Sequence, residues 1–402
     1  MLDAYIYNGL RTPFGRNAGV LAKVRPDDML GRIVRAVVAT SSFSEDAIDD
    51  VIVGCGNQAG EDSRCVARHA LLRAGLPIET PGTVIQRNCG SGLGAIIAAA
   101  HAITCGEGEV MIAGGVESMT RAPFVVGKSE QAFGKQMTVF DSALGARFPN
   151  PEIENEFGDD NMPRTADNLA ADFDLNREDC DEFAYRSQQK YAAAKADGFF
   201  DGEIHAVTVP GGRRKPDIIV AEDEFPRPDT PLEKLAALRT LNPEGVTTAA
   251  NASGINDGAV AMMVASQSAG ESAGEIPLAR ILSSGVAGVA PRIMGYGPVP
   301  AAKIALKRAG LTMNDMDVIE INEAFAAQVL ACLKGMDIAF DDSRINPNGG
   351  AITVGHPLGA SGPRIALTAA RQLQRSGGRY ALVSMCIGLG QGIAMVMERA
   401  GS

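Results

Sequence analysis

Two stretches far apart in the chain follow one plan. Ser91-Gly92 opens an Ala-rich helical run that stops at Gly106 before the strand-like VMIAGG, and Ser361-Gly362 opens PRIALTAARQLQRS, which stops at Gly377-Gly378 before YALVSM. An internal echo of this kind constrains a fold more than any single element does, because each copy must bury its apolar face against a neighbour. Two similar halves are expected, each with a Gly-Ser-type turn feeding a helix. Strand-like DVIVGCG (50–56), EVMIAGGVES (109–118), MDVIEINEAF (316–325) and RYALVSMCIG (379–388) alternate with Ala-rich helical stretches, the pattern of an α/β fold with parallel strands. At 402 residues, 46% of them hydrophobic, the chain is long enough to bury two or three cores.

Between about Thr120 and Thr248 the composition changes. NPEIENEFGDDNMPRTADNLAADF and VPGGRRKPDIIVAEDEFPRPDT are charged and proline-rich, and they flank one amphipathic helix expected near 177–197. This reads as an inserted, more open lobe that either supplies ligand contacts or merely decorates the surface. Its basic cluster, Arg213-Arg214-Lys215 with Arg227 following, has a solvated charge run as its commoner explanation. The expected organisation is a first half of 1–119 and 249–275, an inserted loop domain of 120–248, and a second half of 276–402.

Lys and Arg total 37 against 48 Asp and Glu, and the resulting net charge of −11 argues against general binding to nucleic acid or anionic membranes. The start, MLDAYIYNGLRTPFGR, lacks a charged leader and a continuous apolar core, and no later window is read as a membrane span. Seven cysteines occur as singletons with no C-x-x-C. That usage disfavours a disulfide scaffold and a structural zinc site and points to a reducing cytoplasm.

VIQRNCGSGLGAIIAAA (84–100) places Cys89 between a strand end and a helix start, where free N–H groups favour a thiolate. The competing reading is a buried thiol acting as a small hydrophobe. Of four histidines, His69, His101 and His205 read as structural or exposed. His356 lies in INPNGGAITVGHPLGASG, a loop of glycine, proline and asparagine, where an imidazole can take and return a thiol proton or simply be held by backbone. Cys386, in MCIGLGQG, is either a buried thiol or a second acid/base. Asn322, in INEAFAAQ, either caps a helix or orients a water toward an oxyanion.

Taken together, NCGSG, NEAFAAQ, NPNGGAITVGHPLGASG and CIGLGQG resemble the signature blocks of the thiolases, a likeness running from RTPFGR (11–16) to the last strand. The resemblance implies a duplicated fold of two α/β halves with mixed sheets, layered αβαβα, plus the inserted loop domain. It makes Cys89 the acylated nucleophile, His356 its activator and Cys386 the acid/base that exchanges a proton with the acetyl-CoA methyl. Asn322 then joins His356, through a water, in holding an enolate or thioester oxygen, and the N–H groups of Cys89 and Gly388 form a second oxyanion hole. Ser253 in NASG matches a pantetheine contact with Ala249 beside it, Arg227 falls near the adenine of coenzyme A, and Met162 lines the acyl pocket. The resemblance implies acyl-CoA and CoA as substrates, no metal or redox cofactor, and a homodimer or homotetramer.

Further stretches, among them GCGNQAGEDSRCVARHALLRAGLP, GFFDGEI and VAPRIMGYGPVPA, are most similar to thiolases that cleave 3-oxoadipyl-CoA in bacterial aromatic catabolism. The alternatives are a broad-range 3-ketoacyl-CoA or acetoacetyl-CoA thiolase, a decarboxylating ketoacyl synthase, and a non-catalytic acyl-CoA or lipid binder. The chain departs from the subgroup at Asn88, where leucine is usual, and at AANASG. Asn161 and Pro163 depart from the HMG of acetoacetyl-CoA thiolases. Arg64, Arg164 and Arg292 are the candidates for meeting a distal carboxylate.

Overall fold

The computed structural model describes residues 2–213 and 215–401; Arg214, one cation of the basic cluster, lies outside the described residues. The first half contributes β1 (Ala4–Arg11), β2 (Asp50–Gly54), β3 (Gly82–Ile85), β4 (Val110–Ser118) and β5 (Asn256–Ala265). The second contributes β6 (Ala279–Gly288), β7 (Val318–Ile321), β8 (Tyr380–Ile387) and β9 (Gln391–Arg399). Eight helices frame the site: α1 (Pro26–Ala39), α2 (Val66–Ala74), α3 (Ser91–Cys105), α4 (Met162–Asp172), α5 (Arg177–Ala196), α6 (Pro298–Ala309), α7 (Ala326–Gly335) and α8 (Leu358–Ser376).

The strand order is β7-β8-β9-β6-β1-β5-β4-β2-β3. β2 runs parallel to β3 and β4, and β7 parallel to β8, while the strands between them pair antiparallel. The runs legible as strands in the sequence are among the parallel ones, whose burial on both faces leaves near-continuous apolar stretches. β1 and β6 meet only over Ala4–Ile6 against Ala279–Ile281. On either side of that joint the strands repeat one another. Val51 and Gly54 face Ile112 and Gly115 in the first half as Val318 and Ile321 face Ala381 and Ser384 in the second. Carried along the strands, this register matches Cys55 to Asn322 and Glu117 to Cys386.

Three apolar cores alternate with the strands. One joins α1 and α2 to the outer face of the first half, and another joins α6 and α7 to the outer face of the second. The third surrounds α3 and α8, which lie between the two sets of strands. Both central helices end at a left-handed glycine, Gly106 (φ 77°) and Gly377 (φ 73°), as the echo in the sequence suggests. α8 starts at Leu358 rather than at Pro363, where the sequence reading begins it; the proline is held inside the helix. By length and composition Asn88–Cys105 does reach what a membrane span needs, which corrects the sequence expectation, yet the helix it contains is packed between strands and α8.

The starts of α3 and α8 cross at glycines. A Cβ on Gly92 would collide with the Gly359 carbonyl and the Pro363 ring, and one on Gly115 would strike the same carbonyl. Between β4 and β5 the chain forms the hairpin Phe124–Val126 with Val139–Asp141, the helix Pro151–Phe157, α4, α5, the hairpin Val207–Val209 with Ile218–Val220, and the helix Leu232–Ala236. Arg11 of β1 anchors this segment through fully buried ion pairs to Glu203 (2.6 Å) and Asp223 (2.7 Å).

Candidate active site

β3 ends at Ile85 and α3 begins at Ser91, so Cys89 sits in the turn between them. Asn88 adopts φ 44°, a left-handed conformation that asparagine tolerates better than most side chains. The turn is closed by Gly90 N–H donating to the Arg87 carbonyl (2.9 Å). Ser91 Oγ accepts from Arg87 N–H (2.8 Å) and donates to the Asn88 carbonyl (2.6 Å). Cys89 keeps some solvent exposure, and the Gly388 N–H lies near enough to act on its thiol. Burial pushes the thiol up to about 11; the Gly388 N–H opposes the rise and the Glu117 carboxylate adds to it. The sequence left a thiolate at the helix start and a buried thiol as alternatives; desolvation outweighs the pull of the helix start, and the resting group is a neutral thiol.

His356 follows the short helix Ala351–Val354 and Gly355 (φ 98°), and its N–H donates to Asn256 Oδ1 (3.1 Å). Its Nδ1 lies 2.6 Å from Ser361 Oγ, and that hydroxyl donates to the Pro357 carbonyl (3.0 Å). With its own hydrogen committed there, Ser361 accepts from Nδ1–H, which leaves Nε2 as the basic nitrogen. Nε2 is 3.5 Å from Asn322 Nδ2. Burial, with a further push from Arg364, lowers the imidazole to about 4, so His356 is neutral in the resting site.

Asn322 directly follows β7 and is fully buried. Its N–H donates to the Ser384 carbonyl (2.9 Å), tying the ends of β7 and β8 together, and its Oδ1 has no protein partner. The helix-cap reading is set aside because the N-cap of α7 is Phe325. Cys386 lies near the end of β8, 1% exposed, close enough to Cys89 that charge on that sulfur adds to the rise burial imposes on its own thiol. Gly388 comes just after β8, and the place its Cβ would take faces Met162 Sδ at 3.7 Å and Asn88 Nδ2 at 3.9 Å. Cys89, His356, Asn322, Cys386, Gly388 and Met162 are therefore drawn from both halves and the inserted segment onto one site.

The expected coenzyme A contacts occupy adjoining loops. Ser253 is half-buried, its N–H donating to the Ala324 carbonyl (2.9 Å), and Gly254 lies against the Phe225 ring. Arg227, two residues beyond Phe225, is exposed and donates through NH1 to the carbonyls of Glu224, Phe225 and Pro226. Ala249 is exposed. Arg292 is engaged by Asp172 (2.7 Å), whereas Arg64 is exposed and Arg164 half-buried. His69, His101 and His205 are all exposed.

Two residues of the site escape the sequence reading. Ser361, noted there only as a turn residue, fixes the tautomer of His356. Glu117, buried and raised to about 7 chiefly by desolvation, accepts from the N–H groups of Gly56 (2.9 Å), Asn57 (2.9 Å) and Gly359 (2.9 Å). The signal for it is a lone carboxylate inside the otherwise apolar run VMIAGGVES.

The N-terminal domain of the thiolases matches residues 4–268, and the C-terminal domain matches 275–399. The chain belongs to the thiolase family. It is an acyltransferase of that family and has the family's α/β fold of two related halves. It is 54% identical to the β-ketoadipyl-CoA thiolase of Acinetobacter baylyi, covering 99% of this chain and all of the relative. It is 51% identical to the 3-oxoadipyl-CoA/3-oxo-5,6-dehydrosuberyl-CoA thiolase of Escherichia coli, again over 99% and 100%. The crystal structure of human mitochondrial 3-ketoacyl-CoA thiolase in complex with CoA superposes with a TM-score of 0.91 at 39% identity, covering 99% of this thiolase and 98% of that chain.

Proposed function

We propose that this thiolase cleaves 3-oxoadipyl-CoA with CoA to succinyl-CoA and acetyl-CoA, reversibly, in aromatic catabolism. The observation that carries the chemistry is a pair of thiols with a neutral imidazole: Cys386 lies close to Cys89, the Gly388 N–H acts on the Cys89 thiol, and His356 is held through Nδ1 by Ser361 with Nε2 facing Asn322. The full-length likeness to relatives named for 3-oxoadipyl-CoA supports that acyl group over acetoacetyl-CoA or a broad range.

As Cys89 attacks the 3-keto carbon, His356 Nε2 takes the thiol proton, and the N–H groups of Cys89 and Gly388 meet the developing oxyanion. The bond between C2 and C3 then breaks, leaving a succinyl thioester on Cys89 and an acetyl-CoA enolate. The enolate takes its proton from Cys386. His356, now a donor at Nε2, and Asn322, through a water, hold the enolate oxygen. In the second half-reaction CoA gives its thiol proton to Cys386 and attacks the thioester, and Cys89 leaves and regains its proton from His356. No step calls for a metal or redox cofactor.

Ser253, Ala249 and the exposed Arg227 are proposed to hold the pantetheine and adenine ends, with Met162 at the acyl pocket. The protein is placed in the cytoplasm, consistent with its seven free cysteines, as a homodimer or homotetramer. Phe124, Phe133, Met137 and Phe148 stand exposed on the inserted segment, a concentration of apolar surface that an assembly would cover. Light scattering behind size exclusion checks the assembly. A thiolysis panel with 3-oxoadipyl-CoA, acetoacetyl-CoA and longer 3-ketoacyl-CoAs tests the substrate; the highest kcat/KM is expected for 3-oxoadipyl-CoA, and a higher value for any other overturns the assignment.

A further inference from the structure

Asn88, the residue that departs from the subgroup pattern beside the nucleophile, spans the gap between the halves. Its Nδ2 donates to the Gly388 carbonyl (3.3 Å), and its Oδ1 accepts from Gln86 Nε2 (3.0 Å), which fixes the face of the amide that points at Gly388. Gly388 is the residue whose N–H acts on the Cys89 thiol, opposing the rise that burial imposes. It is followed by two left-handed residues, Leu389 (φ 69°), itself largely exposed, and Gly390 (φ 82°). A glycine at the edge of such a loop has wide conformational freedom unless its peptide groups are held.

We propose that Asn88 is a positioning residue for acyl transfer: its amide holds the Gly388 carbonyl so that the Gly388 N–H stays aimed at the Cys89 sulfur and at the oxyanion formed there. The inference rests on Cys89 being the acylated nucleophile. The left-handed backbone and the amide are two separate contributions of the same residue. The backbone turns Cys89 toward the second half, and the amide reaches across and fixes the donor. Asparagine supplies both at once, since its short side chain tolerates this φ and carries two N–H groups.

Asn88→Gly separates the two, keeping the backbone and deleting the amide. Its kcat for thiolysis should fall about tenfold, short of losing an oxyanion donor outright, with KM within about twofold and an unchanged melting temperature. Asn88→Asp keeps the shape but turns an acceptor toward the Gly388 carbonyl. It should lower kcat further and slow iodoacetamide alkylation of Cys89 at a fixed pH. Wild-type kcat in Asn88→Gly, or wild-type alkylation and turnover in Asn88→Asp, overturns the proposal. Alkylation needs no acyl-CoA, so failure of the native enzyme on 3-oxoadipyl-CoA strikes the substrate assignment and leaves this comparison standing.

Discussion

Gly92 at the start of α3 lies against the carbonyl of Gly359 at the start of α8, with no room between them for a methyl group. Each glycine is three residues beyond a reacting side chain, Cys89 in one case and His356 in the other. The contact therefore sets how closely the two helix starts that follow these side chains approach each other. Gly92→Ala should destabilise by about 2–3 kcal/mol, because backbone must move to relieve the overlap. Turnover should fall more than thermal stability alone explains. Gly94→Ala on the same helix meets only side chains, Ile85 at 3.3 Å and Ile393 at 4.0 Å, and should melt close to the native protein in the same assay.

Ser361 acts through His356. Ser361→Ala removes the acceptor for Nδ1–H inside a buried site and lets the ring tautomers exchange, so kcat/KM should fall by about 10- to 100-fold. The melting temperature should stay nearly constant, since a small side chain is exchanged for a smaller one. Steady-state kinetics beside a thermal melt separates the two effects.

The resting pair is neutral, and two pH profiles follow. With the Cys89 thiol raised to about 11, its iodoacetamide alkylation should keep accelerating above pH 9; a plateau reached near neutrality would indicate a thiolate–imidazolium pair instead. His356 is depressed to about 4 from an ordinary 6.5, so its unfolded form binds a proton more readily than its folded form. Its contribution to stability is complete above about pH 6.5 and is lost as the pH falls toward 4. Urea unfolding between pH 7 and pH 5 should weaken more in the native enzyme than in His356→Asn.

The two cysteines divide the labour. Cys89→Ser should lose the covalent acyl adduct seen by mass spectrometry. Cys386→Ser should still accept an acetyl group from acetyl-CoA onto Cys89, yet fail to form or break the carbon–carbon bond. Equal loss of both half-reactions in Cys386→Ser would contradict the assignment.

What could be read from the sequence followed local chemistry. The run around Val51–Val53, the Ala-rich α3 and the glycine stops at 106 and 377 announce themselves through periodicity and composition, as does the loop around His356. What could not be read depends on register. Nothing near Glu117 in the chain indicates that it accepts an N–H from Gly359, 242 residues away. The antiparallel strands β5 and β9 complete the sheets through pairings no local pattern encodes. The start of α8 was misplaced because proline marks a first turn more often than an interior, and here it is tolerated at the sixth position. The charge state of Cys89 stayed open for a related reason: the helix start is visible in the sequence, whereas the desolvation that overrides it arises only in the folded chain.

Glu117 and Cys386 hold the same place in their respective halves, and their fates show what duplication makes available. On one side the position carries a thiol that handles protons. On the other it carries a carboxylate that grips three backbone amides, one of them at the start of α8, three residues past His356. A chain with identical halves would present two reactive poles and brace neither. Here the asymmetry assigns chemistry to one pole and rigidity to the other, so the silent copy serves as the fixture against which the working copy is held.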